Sequence, residues 1–212
     1  MIPDTHPYWH VRSLVASRPE VLALSASYYI YRPQTLGDER TIKTIAREEF
    51  LDASYIDSLL SNTPTDYELA IHSDVRTRGG ELNHLVMVDM STSAKAHLDK
   101  LRAFVGEAFF REIEWYDSGR SFHGYGTSLL SEREWVQLFG VLLLSNKPRL
   151  EPTVDPRWIG HRLIAGYSSL RWTKNTSHYL ALPVRLQRQP DTSHRAVSVG
   201  AVGRALRPSQ KN

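Results

Sequence analysis

The chain has no cysteine. Disulfide scaffolds, cysteine-ligated zinc, iron–sulfur clusters and thiol nucleophiles are therefore excluded. Long hydrophobic runs are also missing. The longest purely apolar stretch lies at residues 141–144, far short of the ~20 residues that a membrane-spanning helix needs. The amino-terminal MIPDTHPYWH lacks the basic-then-apolar order of a secretory signal. No Walker loop ending in Gly-Lys-Ser/Thr and no dinucleotide fingerprint occurs, so any nucleotide site must be of another kind. No internal repeat, low-complexity block or Pro/Gly-rich linker divides the sequence. The expectation is a soluble, cytoplasmic protein with no membrane partner, forming a single domain over residues 1–212.

What is present fits a folded chain. Of 212 residues, 41% are hydrophobic and 23% charged, enough for a core that buries roughly 70% of the unfolded surface. The net charge of +3 is uneven: from residue 185 to the end, Arg185, Arg188, Arg195, Arg204, Arg207 and Lys211 face one acid, Asp191. This basic C-terminal segment, 185–212, suits contact with phosphate, or else a solvated tail.

Hydrophobic periodicity sets out the elements. Residues 21–50 read as a β-hairpin with turn chemistry at TLGDER, and DASYIDSLL as a short helix capped by Asp52. YELAIHSDVR and HLVMVDM read as strands joined at Gly79-Gly80, the second central in its sheet. Ala94, Leu98, Leu101 and Val105 recur at helical spacing, with Ser91, Thr92 and Ser93 as candidate caps and Gly106 as the stop. EAFFREIEWY reads as a strand, Asp117-Ser118-Gly119 as a turn and RSFHGYG as a second strand. Ser131 and Glu134 form a capping box before a helix, and Asp155-Pro156 starts another. SSLRWTKN and HYLALPVRL read as closing strands. The pattern is α+β: an antiparallel-rich sheet with helices on one face. An N-terminal hairpin and helix (about 20–62) precede a core at about 68–183.

Polar, titratable residues gather at three strand ends. VMVDMS carries Asp89 and Ser91, an i, i+2 pair able to address one site, although both also suit helix capping. A carboxylate there is a ligand for a hard cation such as Mg²⁺ or Mn²⁺. SGRSFHGYG carries Arg120, Ser121 and His123, a guanidinium, hydroxyl and imidazole suited to a triphosphate, with Gly119 and Gly124 leaving room for a ligand. The nucleophile elbow of a serine hydrolase is the rival there. It needs Gly two residues after the Ser, where this sequence has His123. The third stretch, TVDPRWIGHR then LRWTKN, carries Asp155, Arg171 and Lys174, for which a helix cap and a solvated strand face are the plain structural readings. His6 and His10 have i, i+4 spacing but no helical pattern around them, and the other histidines show no ligand spacing.

Together, in order, the three stretches resemble the catalytic core of the archaeo-eukaryotic primase superfamily, which includes the primase-polymerases. HLVMVDMS matches its first motif, a strand ending in Asp-x-Asp, at Asp89. SGRSFHGY matches Ser-x-His at Ser121 and His123. TVD with LRWTKN matches the final Asp and basic segment at Asp155, Arg171 and Lys174. The resemblance implies an RRM-like catalytic core and a DNA-directed primase/polymerase-type nucleotidyltransferase. Asp89 and Asp155 would hold Mg²⁺ or Mn²⁺; Asp89, Asp155 and His123 would be catalytic; and Ser121, His123, Arg120, Arg171 and Lys174 would bind nucleotide. The implied partners are nucleoside triphosphates and a single-stranded DNA or RNA template. One departure stands out: Ser91 occupies the position of the motif's second carboxylate. That leaves a second reading, a degenerate member that binds nucleotide or nucleic acid as a sensor or accessory factor.

Overall fold

The computed structural model describes residues 1–187. The basic segment therefore lies outside the described residues beyond Gln187. The chain begins with helix α1 (Tyr8–Ala16), followed by strands β1 (Val21–Tyr29) and β2 (Arg40–Ala46), then helices α2 (Arg47–Leu51) and α3 (Ala53–Ser61). Strands β3 (Glu68–Thr77) and β4 (Leu82–Asp89) lead to helices α4 (Lys95–Val105) and α5 (Glu107–Arg111). Strands β5 (Ile113–Asp117) and β6 (Phe122–Ser131) precede helices α6 (Glu132–Leu144) and α7 (Pro156–Ala165), and β7 (Ser169–Arg171) and β8 (Val184–Arg185) close the described chain. None of these helices is long and apolar enough to cross a membrane.

The strands form one antiparallel sheet in the order β2-β1-β3-β4-β6-β5-β8, with β7 also paired to β3. The α+β class and antiparallel sheet are as expected. The helices, however, are not confined to one face. Along β4, Leu85 and Met87 join a cluster with Tyr8, Phe50 and Ile56 of α1–α3, while Val86 and Val88 join one with Leu101, Phe110, Phe139 and Ile159 of α4–α7. A strand covered on both sides reads as a continuous apolar run, which is why HLVMVDM shows no alternation. Each fully buried large side chain contributes on the order of 1.5–3 kcal/mol.

Register positions the functional end of the sheet. β1 occupies one edge of β3 from Glu68 to Thr77. The other edge is shared: Asp74–Arg76 pair with β4, and Ala70–His72 pair with β7. β7 therefore slots in beside the carboxyl end of β4. On the far side, β6 places His123 directly opposite Asp89.

Several local expectations are met. Asp52 Oδ1 accepts from the Ser54 N–H at 2.9 Å. Ser131 and Glu134 cap α6 reciprocally, at 3.4 and 3.0 Å. Asp155 caps α7 with Pro156 at its first position. Others are corrected. The amino-terminal stretch without a visible helical pattern contains α1, because Pro7 stands at the N-cap, where its missing N–H costs nothing, and Tyr8, Val11, Leu14 and Val15 form a buried stripe. The second strand of the hairpin stops at Ala46, where Glu49 Oε2 accepts the Ala46 N–H at 2.9 Å and starts α2. EAFFREIEWY is not one strand: its first half is α5, held by Phe110 stacking on Trp115 with centroids 5.3 Å apart, and only its second half is β5. None of Ser91, Thr92 and Ser93 is the N-cap of α4; that position is Ala94, whose N–H donates to Thr92 Oγ1 at 3.2 Å. Of HYLALPVRL, only Val184–Arg185 is strand.

Candidate functional site

Asp89 ends β4, and its carboxyl is largely covered, with 19% of the side chain exposed. Ser121 Oγ donates to Asp89 Oδ1 at 3.0 Å. His123 Nε2 lies 3.8 Å from the same oxygen. Asp155 reaches Asp89 through the backbone: Met90 bridges Val154, and the Asp155 N–H donates to the Asp89 carbonyl at 3.0 Å. Arg171, only 4% exposed, comes from β7. The sheet register thus gathers Asp89, Ser121, His123, Asp155 and Arg171 from four separate stretches of chain.

The turn between β5 and β6 holds Ser121 in place. Ser118 Oγ donates to the Ser121 carbonyl at 2.8 Å and lies 3.1 Å from Ser121 Oγ. An Arg171 Nη2–H donates to the Ser118 carbonyl at 3.0 Å, so a continuous polar chain links Arg171 to Asp89. Arg171 also donates to the carbonyls of Thr173 and Ala181, and its guanidinium lies over the Tyr179 ring. Most of its donor capacity therefore goes to shaping the site's wall.

Electrostatics set the protonation states. Burial pushes the Asp89 carboxyl up to about 7, and the negative charge of Asp155 adds to that rise, while Ser121 and Arg171 oppose it. Burial pushes His123 down to about 3, reinforced by the Arg171 charge. At neutral pH His123 is thus an uncharged imidazole, and the contact with Asp89 is not an ion pair. Three buried polar atoms on Ser91 and on residues of this group have no partner among the described residues: Ser91 Oγ, His123 Nδ1 and Arg171 Nε. Unsatisfied buried groups ordinarily require a specific reason, and those on His123 and Arg171 suit a polar ligand.

The donor set fits a hard divalent cation in part. Asp89 and Asp155 supply carboxylate oxygens, the preferred ligands of Mg²⁺ and Mn²⁺. Asp155 Oδ1 is shared with the cap of α7, accepting from the Arg157 and Trp158 N–H groups at 2.8 and 3.2 Å. Among the described residues, no group of three or more His, Cys, Asp or Glu is arranged to hold a metal.

Two expected nucleotide contacts stand apart from this group. Arg120 is exposed on the turn, where its charge acts on His178. Lys174 is exposed and lines a different depression, with His6, Asp57 and Trp172. Neither Gly119 nor Gly124 leaves space for a ligand. A Cβ at Gly124 would come within 2.7 Å of Ile113 Cγ2 and 2.8 Å of Trp115, and one at Gly119 within 3.0 Å of the Ala181 nitrogen. Their room is taken by the protein itself. Sequence reasoning missed the parts played by Ser118 and Tyr179. Only spatial pairing reveals them: Tyr179 follows β7 closely in sequence, but its contact with the Arg171 guanidinium shows only in the fold.

No curated protein and no solved structure matches the chain. The family model described as archaeo-eukaryotic primase 1D-like matches residues 47–184, a span that runs from α2 to β8 and carries Asp89, Ser121, His123, Asp155 and Arg171. The chain therefore belongs to the archaeo-eukaryotic primase-like family.

Proposed function

We propose that the chain is one primase-like domain that acts as a primase/polymerase-type nucleotidyltransferase, joining nucleoside triphosphates on a single-stranded DNA or RNA template. The observation that carries this reading is the Asp89 environment: a covered carboxylate beside a second one, pushed up to about 7, with unpartnered polar atoms on His123 and Arg171. The family generally uses divalent metals, and such a site is poised to take up a cation and release a proton. Asp89 and Asp155 would hold it. Bound there, Mg²⁺ or Mn²⁺ would supply the charge that neutralises triphosphate and acidifies the attacking hydroxyl.

The chain's own groups have separate tasks. Ser121 orients Asp89 through its hydroxyl. His123, being neutral, offers a ring N–H to a phosphate oxygen without adding charge, while Arg171 contributes positive potential from behind. Arg120 and Lys174, exposed outside this group, would meet phosphates farther from the reacting atoms.

A second reading, a binding or sensor protein without synthesis, is favoured by one specific feature: Ser91 stands where a further carboxylate would complete the cation site, and its Oγ has no partner among the described residues. Template-dependent incorporation of labelled nucleotide, in Mg²⁺ and in Mn²⁺, separates the two. The wild type should give product, and Asp89→Asn should lose roughly 100-fold or more. Ser91→Asp should raise the Mg²⁺-dependent rate, because Mg²⁺ tolerates incomplete coordination poorly. Triphosphate binding by calorimetry with no product from either the wild type or Ser91→Asp would establish the sensor reading.

A further inference from the structure

We propose that Tyr31 and His178 form a nucleobase-stacking platform on the solvent side of Arg171. For its class of ligand, a base carried by a nucleotide or a single strand, the proposal rests on the nucleotidyltransferase reading above.

Tyr31 lies in the connection between β1 and β2 and is 45% exposed. Its ring stacks on the His178 ring with centroids 4.2 Å apart and an interplanar angle of 27°. His178 meets Tyr179 edge-on at 4.8 Å and 86°. Tyr179 in turn lies 4.0 Å beneath the Arg171 guanidinium. An aromatic ladder thus runs from solvent to the arginine that neighbours Asp89 and His123.

The outer rung is held in place. Asp38, in the same connection as Tyr31, pairs with Arg162 of α7 and accepts from Arg40 Nε at 2.9 Å. Arg157 of α7 donates to the Thr35 carbonyl at 3.3 Å. The connection is therefore fastened to the helix that Asp155 caps, which ties the platform to the candidate metal ligands. An exposed ring fixed against a partner loses little further entropy when something stacks on its free face.

Charge around the platform also suits a nucleic acid ligand. Burial, then the positive charges of Arg120 and Arg171, lower the pKa of His178, so its ring is neutral and presents a π face. The exposed Arg120 guanidinium would attract the phosphate of a stacked nucleotide, and the buried Arg171 adds positive potential from behind. Stacking on aromatic rings beside cationic groups is how single strands are gripped without sequence preference.

The test compares ligands that differ only in the base. A labelled short single-stranded oligonucleotide and its abasic counterpart are titrated by fluorescence anisotropy at fixed salt. A nucleoside triphosphate and inorganic tripolyphosphate are titrated by calorimetry with Mn²⁺. The wild type should prefer the base-bearing member of at least one pair. Tyr31→Ala should reduce that affinity by roughly 5- to 150-fold while leaving the base-free member unchanged, and Tyr31→Phe should retain it, which separates stacking from misfolding. Loss on the oligonucleotide arm assigns the platform to the template strand; loss on the triphosphate arm assigns it to the incoming nucleotide. Equal wild-type affinity within both pairs, or a Tyr31→Ala variant that keeps the preference, overturns the platform and leaves the nucleotidyltransferase reading standing. A wild type that binds no member of either pair overturns both.

Discussion

Asp89 is a residue whose surroundings work against its own charge. The folded protein raises its carboxyl from the ordinary 3.8 to about 7, so the native state holds the proton more tightly than the unfolded chain. The stability this brings is complete below about pH 4 and is lost as pH rises through 7. Asp89→Asn removes the titration while keeping the shape. The variant should therefore gain on wild type as pH rises from 4 to 8, by on the order of 1–3 kcal/mol in urea denaturation. Millimolar Mn²⁺ should reverse the order at pH 8 by stabilising only the wild type. A difference that is flat with pH would show that the fold does not raise the Asp89 carboxyl, and equal stabilisation of both proteins by Mn²⁺ would show that Asp89 is not a cation ligand. Trading stability for a strained functional group in this way is common in binding sites.

At the scale of elements, the start of α7 separates architecture from chemistry. Asp155 serves the helix through Oδ1, which accepts from the N–H groups of Arg157 and Trp158. Asparagine caps as well as aspartate does, whereas alanine costs about 0.5–2 kcal/mol. Asp155→Asn should melt near the wild type, and Asp155→Ala clearly lower, yet both should lose the upward shift in melting temperature that Mn²⁺ with triphosphate gives the wild type. A Mn²⁺-dependent shift retained in Asp155→Asn would reduce Asp155 to a cap.

The starts of α6 and α7 show what could be read from sequence. Asp155-Pro156 and the Ser131–Glu134 box are local signals, in which the capping atoms sit within three residues of what they cap, so their elements were legible. The end of β4 at Asp89 was legible because an apolar run stops there, and the start of β6 around Ser121 and His123 because turn residues precede it. α5 was not, since the aromatic residues of EAFFREIEWY suit strand or helix until Phe110 packs on Trp115. The burial of Arg171 and the exposure of Lys174 were equally hidden, because they follow from where β7 inserts beside β4. The glycines misled for a related reason: their close neighbours, Ile113, Trp115 and Ala181, come from other elements.

Across the whole molecule, buried neutral histidines set the response to acid. Burial pushes His6 down to about 4, and burial with nearby arginine charge pushes His72 and His123 down to about 3. For His6 the hydrogen-bond partners also require the neutral form. His6 Nδ1 accepts the Tyr8 N–H at 3.1 Å while Nε2 faces the Trp172 carbonyl at 2.9 Å, joining the first turn of α1 to the end of β7. His72 sits between Ser25 and Ser27, at 2.9 and 2.7 Å, with Tyr167 stacked on its ring. Below the unfolded value of 6.5, the unfolded chain takes up protons that the native state refuses, so stability is lost as pH falls toward the folded values. At pH 5 each histidine forfeits about 2 kcal/mol. Asp89 acts in the opposite direction, since its raised pKa adds stability as pH falls, and it offsets part of the loss. The net expectation between pH 7 and 5 is a fall on the order of 3 kcal/mol, a large share of the ~5–15 kcal/mol that folded domains possess. Urea midpoints measured at constant ionic strength across that range provide the check. The fall should steepen in Asp89→Asn, where the opposing carboxyl is gone. A midpoint that stays level or rises from pH 7 to 5 in both proteins would mean that these imidazoles accept protons in the folded state, and that water or a counter-charge reaches what the sheet and helices enclose.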